Sequence, residues 1–225
     1  MNKVIKYDAI GVFKEELTNR FMSNVMIDGK EEICYVKSSS RLENYLIMNN
    51  KKVYLKNNKN SKFQYYVYGV KHKNSCILLC PSLANDIVYD SIHKKMFSFL
   101  GIRSKIEKEH KISNYTSDLF LPKNNIFIEI KSIISESTEA TFPLVYSERL
   151  DKQLAEINDI LIKNKVYLFL VCFNPYTTLI RINKDNKNYE RIIESIKKGL
   201  IVKGFVIDYE KGEPIIKKEI TILFD

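Results

Sequence analysis

Residues 117–131 read SDLFLPKNNIFIEIK, and the fold turns on how this stretch is read. In its second half an alternation of period two puts Ile126, Ile128 and Ile130 on one face of a strand. Phe127, Glu129 and Lys131 fall on the other, so a carboxylate and an ammonium become neighbours. Residues 117–121 form a second strand candidate. The turn-rich link Pro122-Lys123-Asn124-Asn125 lets the two pair antiparallel, with Asp118 beside Glu129. Two carboxylates converging at a strand end can hold Mg²⁺ or Mn²⁺ through oxygen ligands, and a nearby Lys can orient or deprotonate the attacking water. Those are the parts that phosphodiester hydrolysis needs. The same residues equally fit a plain strand with one polar face, on which Glu-x-Lys pairs at the surface.

Downstream, Leu150, Leu154, Ile157 and Leu161 predict a helix over 147–163, followed by a buried strand at 166–173. A short strand at 178–182, a helix at 187–199 and a strand at 201–208 complete that side. Upstream, Ala84, Val88, Ile92, Met96 and Phe99 predict a helix ending near Gly101, with a further strand at 103–109. Helix, three strands, helix, strand, helix, strand is an α/β domain with a mixed sheet. Asp90 aligns with Leu83, Ile87, Lys94 and Phe97, which makes it either a third acidic group for the metal or a surface partner of Lys94. Arg149 and Gln153 lie four apart beside the Leu150/Leu154 stripe. They either reach a phosphate or the attacking water, or simply form the polar flank of an amphipathic helix.

Residues 1–80 read differently, as short alternating strands near 5–13, 21–27, 32–36, 52–56, 63–70 and 75–79, separated by signals such as Asp28-Gly29. Such a pattern predicts a small barrel or sandwich, the OB-fold among the options, with a boundary near Pro81. Charge is uneven as well. Residues 1–80 hold 14 Lys and Arg against 7 Asp and Glu, whereas residues 81–225 hold 22 against 20. Lys51, Lys52 and Lys56 interleave with Tyr54, Tyr65 and Tyr66, a composition that suits a phosphate backbone with bases stacked on rings and equally a solvated face.

The whole chain, 225 residues with a net charge of +9 and 45% hydrophobic residues, can bury a core. Seven Gly and five Pro without a biased tract exclude collagen-like and disordered classes. No apolar run is long enough for a membrane span, and the N-terminus lacks a signal-type apolar region. Four cysteines make no disulfide scaffold, so buried thiols in a cytoplasmic protein are expected. Three histidines show no metal-ligand spacing, and Gly-rich phosphate loops and the GxSxG motif are absent.

Taken in order, Asp90-Ser91-Ile92, Ser117-Asp118-Leu119, Phe127-Ile128-Glu129-Ile130-Lys131-Ser132-Ile133, Phe142-Pro143 and the segment Ser147 to Leu154 resemble the sugar fermentation stimulation protein (SfsA) family over about residues 80–210. The resemblance implies an OB-like N-terminal domain, a PD-(D/E)xK nuclease-like C-terminal domain, DNA binding and a regulatory role in sugar utilisation. Asp118, Glu129 and Lys131 match that family's Asp, Glu and Lys, while Asp90 stands where its members usually have Glu. Departures are Thr116 for an Arg, Leu144 for an Asp, Leu150 for a Gly and Gln153 for a His. In the N-terminal part Arg20-Phe21 fits the opening strand. Tyr35 to Ser40, however, replaces a His followed by a Pro-Asn-Thr-Gly type run.

The expected fold is therefore two-domain, α+β and α/β: an OB-fold-like β-barrel at 1–80 that binds nucleic acid, and a PD-(D/E)xK nuclease-like domain with a mixed central sheet at 81–225. Asp118, Glu129, Lys131 and Gln153 are the expected catalytic set. Asp90, Asp118 and Glu129 are the expected ligands of Mg²⁺ or Mn²⁺, and Arg20, Lys51, Lys52 and Arg149 the nucleic-acid contacts. The expected partner is nucleic acid, DNA ahead of RNA, with no membrane and with a homo-oligomer left open. Two alternatives stand beside the nuclease: a non-catalytic DNA-binding regulator of sugar metabolism that retains the nuclease fold, and a protein-interaction module.

Overall fold

A computed structural model describes residues 5–38, 40–59, 61–101 and 105–224. Its first sheet is built from β1 (Ala9–Glu16), β2 (Met22–Ile27), β3 (Lys30–Val36), β4 (Lys52–Asn57), β5 (Tyr65–His72) and β6 (Ser75–Leu78), in the order β3-β2-β1-β4-β5-β6. A parallel contact of β3 with β5, Tyr35 opposite Tyr66, closes five of these strands into an OB-like barrel, and β6 adds to β5. Asp28 and Gly29 turn β2 into β3 with positive φ at both positions (47° and 80°). Two-residue hairpins favour this backbone because its twist matches the strands.

Helix α1 (Leu83–His93) leads into the second sheet. Its strands are β7 (Glu107–Ile112), β8 (Tyr115–Leu121), β9 (Ile126–Ile133), β10 (Glu139–Phe142), β11 (Lys165–Cys172), β12 (Leu179–Ile182), β13 (Ile201–Glu210) and β14 (Glu213–Leu223). They run in the order β10-β12-β14-β13-β11-β9-β8-β7, with β9, β11 and β13 parallel at the centre. Both faces of that centre are covered, which is why β11 is an unbroken apolar run rather than an alternating one. Helices α2 (Glu148–Ile160) and α3 (Tyr189–Lys197) lie on one face with Phe127, Leu168, Leu170 and Val206. Ile128, Ile130, Phe169 and Phe205 point to the other face, into a core shared with α1 and the barrel.

That shared core makes the two sheets one packed body. Tyr209 donates its hydroxyl to the Cys76 carbonyl at 3.0 Å, Leu78 N–H reaches the Phe173 carbonyl at 3.3 Å, and Lys51 pairs with Glu136.

Three expectations change. The helix expected to run to Gly101 stops at His93, because Lys95 takes a left-handed conformation (φ 59°) and Phe97 turns inward onto Phe169 and Phe205. Met96, at 42% exposed, consequently leaves the buried stripe. Strands β10 and β14 were not foreseen: β10 follows the polar run Ser135 to Thr138 and offers only Ala140 and Phe142 as apolar residues, and β14 carries Pro214 and the polar run Lys217-Lys218-Glu219. The strand expected at 103–109 begins at Glu107, and residues 102–104 lie outside the described residues. Among the described residues no helix is long and apolar enough to cross a membrane.

Candidate active site

Strands β8 and β9 pair from Leu121↔Ile126 to Leu119↔Ile128 and then part. At the fork, Ile130 N–H has lost its strand partner, and the Asp118 side chain takes its place: Oδ2 accepts from Ile130 N at 2.7 Å. Its other oxygen accepts from Asn85 Nδ2 on α1 at 2.9 Å. A side chain that replaces a ladder hydrogen bond in this way fixes both the fork and its own carboxylate.

Glu129 follows on β9 and is 2% exposed. Three donors make burial of its charge tolerable. Tyr115 O–H reaches Oε2 at 2.8 Å, while Lys131 Nζ (2.6 Å) and Gln153 Nε2 (2.9 Å) reach Oε1. Lys131 also donates to Gln153 Oε1 at 2.6 Å, so ammonium, amide and carboxylate close a triangle across β9 and α2. Burial still raises the Glu129 carboxyl above its ordinary range; Lys131 pulls it down and Asp118 pushes it up. Burial, and after it the charge of Glu129, likewise raises the Tyr115 phenol, so the hydroxyl stays a donor.

The cluster opens into a cavity of about 400 Å³ between the second sheet and the barrel. Asp118, Glu129, Lys131, Arg149 and Gln153 line one side, and Ser38, Ser40 and Tyr45 of the barrel the other. A second, shallower cleft continues past Asp118, Arg149 and Gln153 towards Lys111 and Asn114.

Five expected residues, Asp118, Glu129, Lys131, Arg149 and Gln153, thus line one cavity. Asp90 does not: it is exposed on α1 and lines neither cleft. Asn85, five positions earlier and about 140° round the helix, faces the fork instead. Lys51 is spent on Glu136, while Arg20 and Lys52 are exposed on the barrel away from the cavity. Sequence reasoning missed Asn85, Tyr115 and the barrel wall. For Tyr115 a signal existed, since a tyrosine on a buried strand face needs a partner for its hydroxyl.

The barrel presents rings and cations together. Phe21, Tyr35 and Phe63 stack with centroids 6.2 and 6.4 Å apart, and Arg20 and Lys62 each lie 4.9 Å from a terminal ring. Lys37 sits 3.5 Å over Tyr66, and Lys56 4.1 Å over Tyr68.

Among the described residues no group of three or more His, Cys, Asp or Glu converges as a metal cage. Two carboxylates facing one water-accessible cavity nevertheless suit Mg²⁺ or Mn²⁺. Mg²⁺ in particular keeps several waters and takes one or two protein carboxylates. Each Asp118 oxygen carries one of these hydrogen bonds and retains a further lone pair for a cation.

Comparison with known proteins gives a consistent picture. A profile for the sugar fermentation stimulation protein RE domain matches residues 82–213, and one for the SfsA N-terminal OB domain matches residues 17–79. Relatives described as sugar fermentation stimulation protein homologs include one from Methanobrevibacter smithii, 28% identical over 211 residues (84% of this chain, 86% of the relative). Another, from Desulfitobacterium hafniense, is 32% identical over 145 residues, 62% of each chain. The solved structure of Pyrococcus furiosus SfsA in complex with Ca²⁺ superposes over the whole of both chains with a TM-score of 0.84 at 18% identity, a likeness of fold.

Proposed function

This chain belongs to the sugar fermentation stimulation protein family, and from the geometry of its cavity we propose that it is a metal-dependent phosphodiesterase acting on nucleic acid, DNA in the first place. One observation carries the reading: Glu129, Lys131 and Gln153 form a hydrogen-bonded triangle beside the fork of β8 and β9, and Asp118, held by Ile130 N–H and Asn85, lines the same open cavity. Asp118 and Glu129 would hold the cation. That the Pyrococcus furiosus relative was solved with Ca²⁺ is compatible with an oxygen-ligand site in this family. A divalent cation held there supplies Lewis acidity towards a phosphoryl oxygen and acidifies water.

The remaining work falls to the chain's own groups. Lys131, fixed by Glu129 and Gln153, points a cation at the place where charge develops and orients the attacking water. Gln153 spends both amide atoms inside the cluster and acts as a positioning residue. Arg149 lines both clefts and offers a fork of donors to the phosphate. Away from the site, the ring-and-cation face of the barrel would hold the rest of the strand.

A second reading, a DNA-binding regulator without catalysis, is favoured by one feature: Glu129 already receives three donors, so the cluster is internally satisfied. Cleavage separates the two. Labelled single- and double-stranded DNA and RNA are incubated with Mn²⁺, Mg²⁺ or EDTA, beside the Lys131→Ala variant. Metal-dependent cutting lost in the variant is the result expected of the enzyme. Retention on a gel without cutting under any metal would leave the regulator. For the regulator, Lys131→Ala lowers the slope of log affinity against log salt by no more than about 0.7–0.9, the value of one phosphate contact.

A further inference from the structure

Beside the cluster the cavity wall carries three consecutive large apolar side chains, Leu144, Val145 and Tyr146, which are 44%, 43% and 48% exposed. Three adjacent apolar residues turned to water are a cost that a folded chain avoids unless they meet something. The segment is also held in place. Asn183 and Asn186 donate to the Pro143 carbonyl at 3.2 and 3.4 Å. At the other end the fully buried Asn188 clamps Ser147, accepting from its N–H at 2.9 Å and donating to its carbonyl at 3.0 Å. Both ends are pinned by amide side chains, which fixes the backbone on either side of the half-exposed apolar tip.

Cations share the cavity or lie beside this tip. Lys131 and Arg149 line the same cavity, and Lys187 Nζ lies 5.9 Å from the Tyr146 ring centre. The facing wall brings a further ring, Tyr45. A ligand matching this surface needs a flat apolar part within reach of an anionic part, which is the chemistry of a nucleotide. In a continuous duplex each base is stacked on both faces and paired, so presenting one costs about a few kcal/mol of unstacking and unpairing that an already unpaired base does not pay. The cavity, about 400 Å³, lies within the range of about 300–1,000 Å³ usual for ligand sites.

We infer that residues 144–146 form a fixed prong that captures an unpaired nucleobase, so that the substrate class is single-stranded nucleic acid or the unpaired end of a duplex. This rests on the nucleic-acid reading above and adds the strandedness of the substrate.

The test uses the full-length protein in EDTA, so that binding is read without cleavage. Oligonucleotides carrying 2-aminopurine are titrated as single strands and as duplexes into wild type, the Leu144→Ser/Tyr146→Ser double variant and Tyr146→Phe. Expected are tighter binding of single strands than of duplexes, and a change in 2-aminopurine emission with wild type and Tyr146→Phe. In the double variant that change is lost and single-strand affinity falls about tenfold, the scale of one lost stack, with duplex affinity unaltered. Equal affinity for single strand and duplex, or a double variant that binds like wild type, overturns the inference. The two readings fail separately: metal-dependent cutting of duplex and single strand alike, with a neutral double variant, removes the prong and leaves the phosphodiesterase. Base capture without cutting under any metal does the reverse.

Discussion

Glu129 is a nearly inaccessible carboxylate, and its tolerance rests on single atoms. Tyr115 supplies the only donor found on its Oε2 among the described residues, so Tyr115→Phe leaves a buried charge one partner short. A loss of about 1–3 kcal/mol is expected, read from urea denaturation of variant and wild type. The period of two in 126–131 made the neighbourhood of Glu129 and Lys131 legible; Tyr115 was not, because nothing in its spacing says which carboxylate it meets. The cysteines show the same dependence on surroundings. Burial pushes the thiols of Cys34, Cys80 and Cys172 up to about 12 and raises Cys76 as well. The folded state therefore holds these protons more tightly than the unfolded chain does. Their contribution is complete below the unfolded thiol value of about 8.5 and is lost as pH rises from there towards 12. The urea midpoint should fall between pH 7 and pH 10, and a thiol reagent at pH 8 should label all four only after unfolding.

Among the elements, α2 is the one that aims the site. Ser147 begins it in an extended conformation, its hydroxyl accepting from Leu150 N–H at 3.2 Å, and Glu148 and Asp151 lie in the first turn where the helix dipole favours them. Ser147→Ala should cost about 1 kcal/mol, measurable by the same denaturation. Arg149 and Gln153 follow from this start at four-residue spacing, and that spacing was readable from sequence. Helix α1 shows the opposite case. Its apolar stripe was clear, yet the polar residue that reaches the fork is Asn85 rather than Asp90. Which polar flank faces a neighbour depends on how the helix is rolled against the sheet, and the stripe alone leaves that angle loose by more than one side chain.

For the molecule as a whole, the barrel and the second sheet share one core through Leu78, Ile92, Phe97, Phe169 and Phe205. Unfolding should accordingly be a single transition, with far-ultraviolet circular dichroism and tyrosine fluorescence coincident in urea. Two separated transitions would show that the shared core does not couple the halves. Lys51 illustrates the consequence for function: a lysine in a basic, aromatic stretch became an inter-sheet ion pair with Glu136, 85 residues away. Local period and residue type determined the short strands of the N-terminal part and most strands and helices of the second sheet, and set Glu129 beside Lys131 and Arg149 four residues from Gln153. These depend on neighbours a few positions apart, whose geometry the backbone repeat dictates. The choice of an OB-like barrel and of Asp118, Glu129, Lys131 and Gln153 as a catalytic set came from the family resemblance. Tertiary structure alone decided the roll of α1, the partner of Tyr115, the pairing of Lys51 and the amide-pinned prong at 144–146. Each of these is set by contacts between different segments, from 14 residues apart for Tyr115 and Glu129 to 85 for Lys51 and Glu136, which a local repeat does not encode.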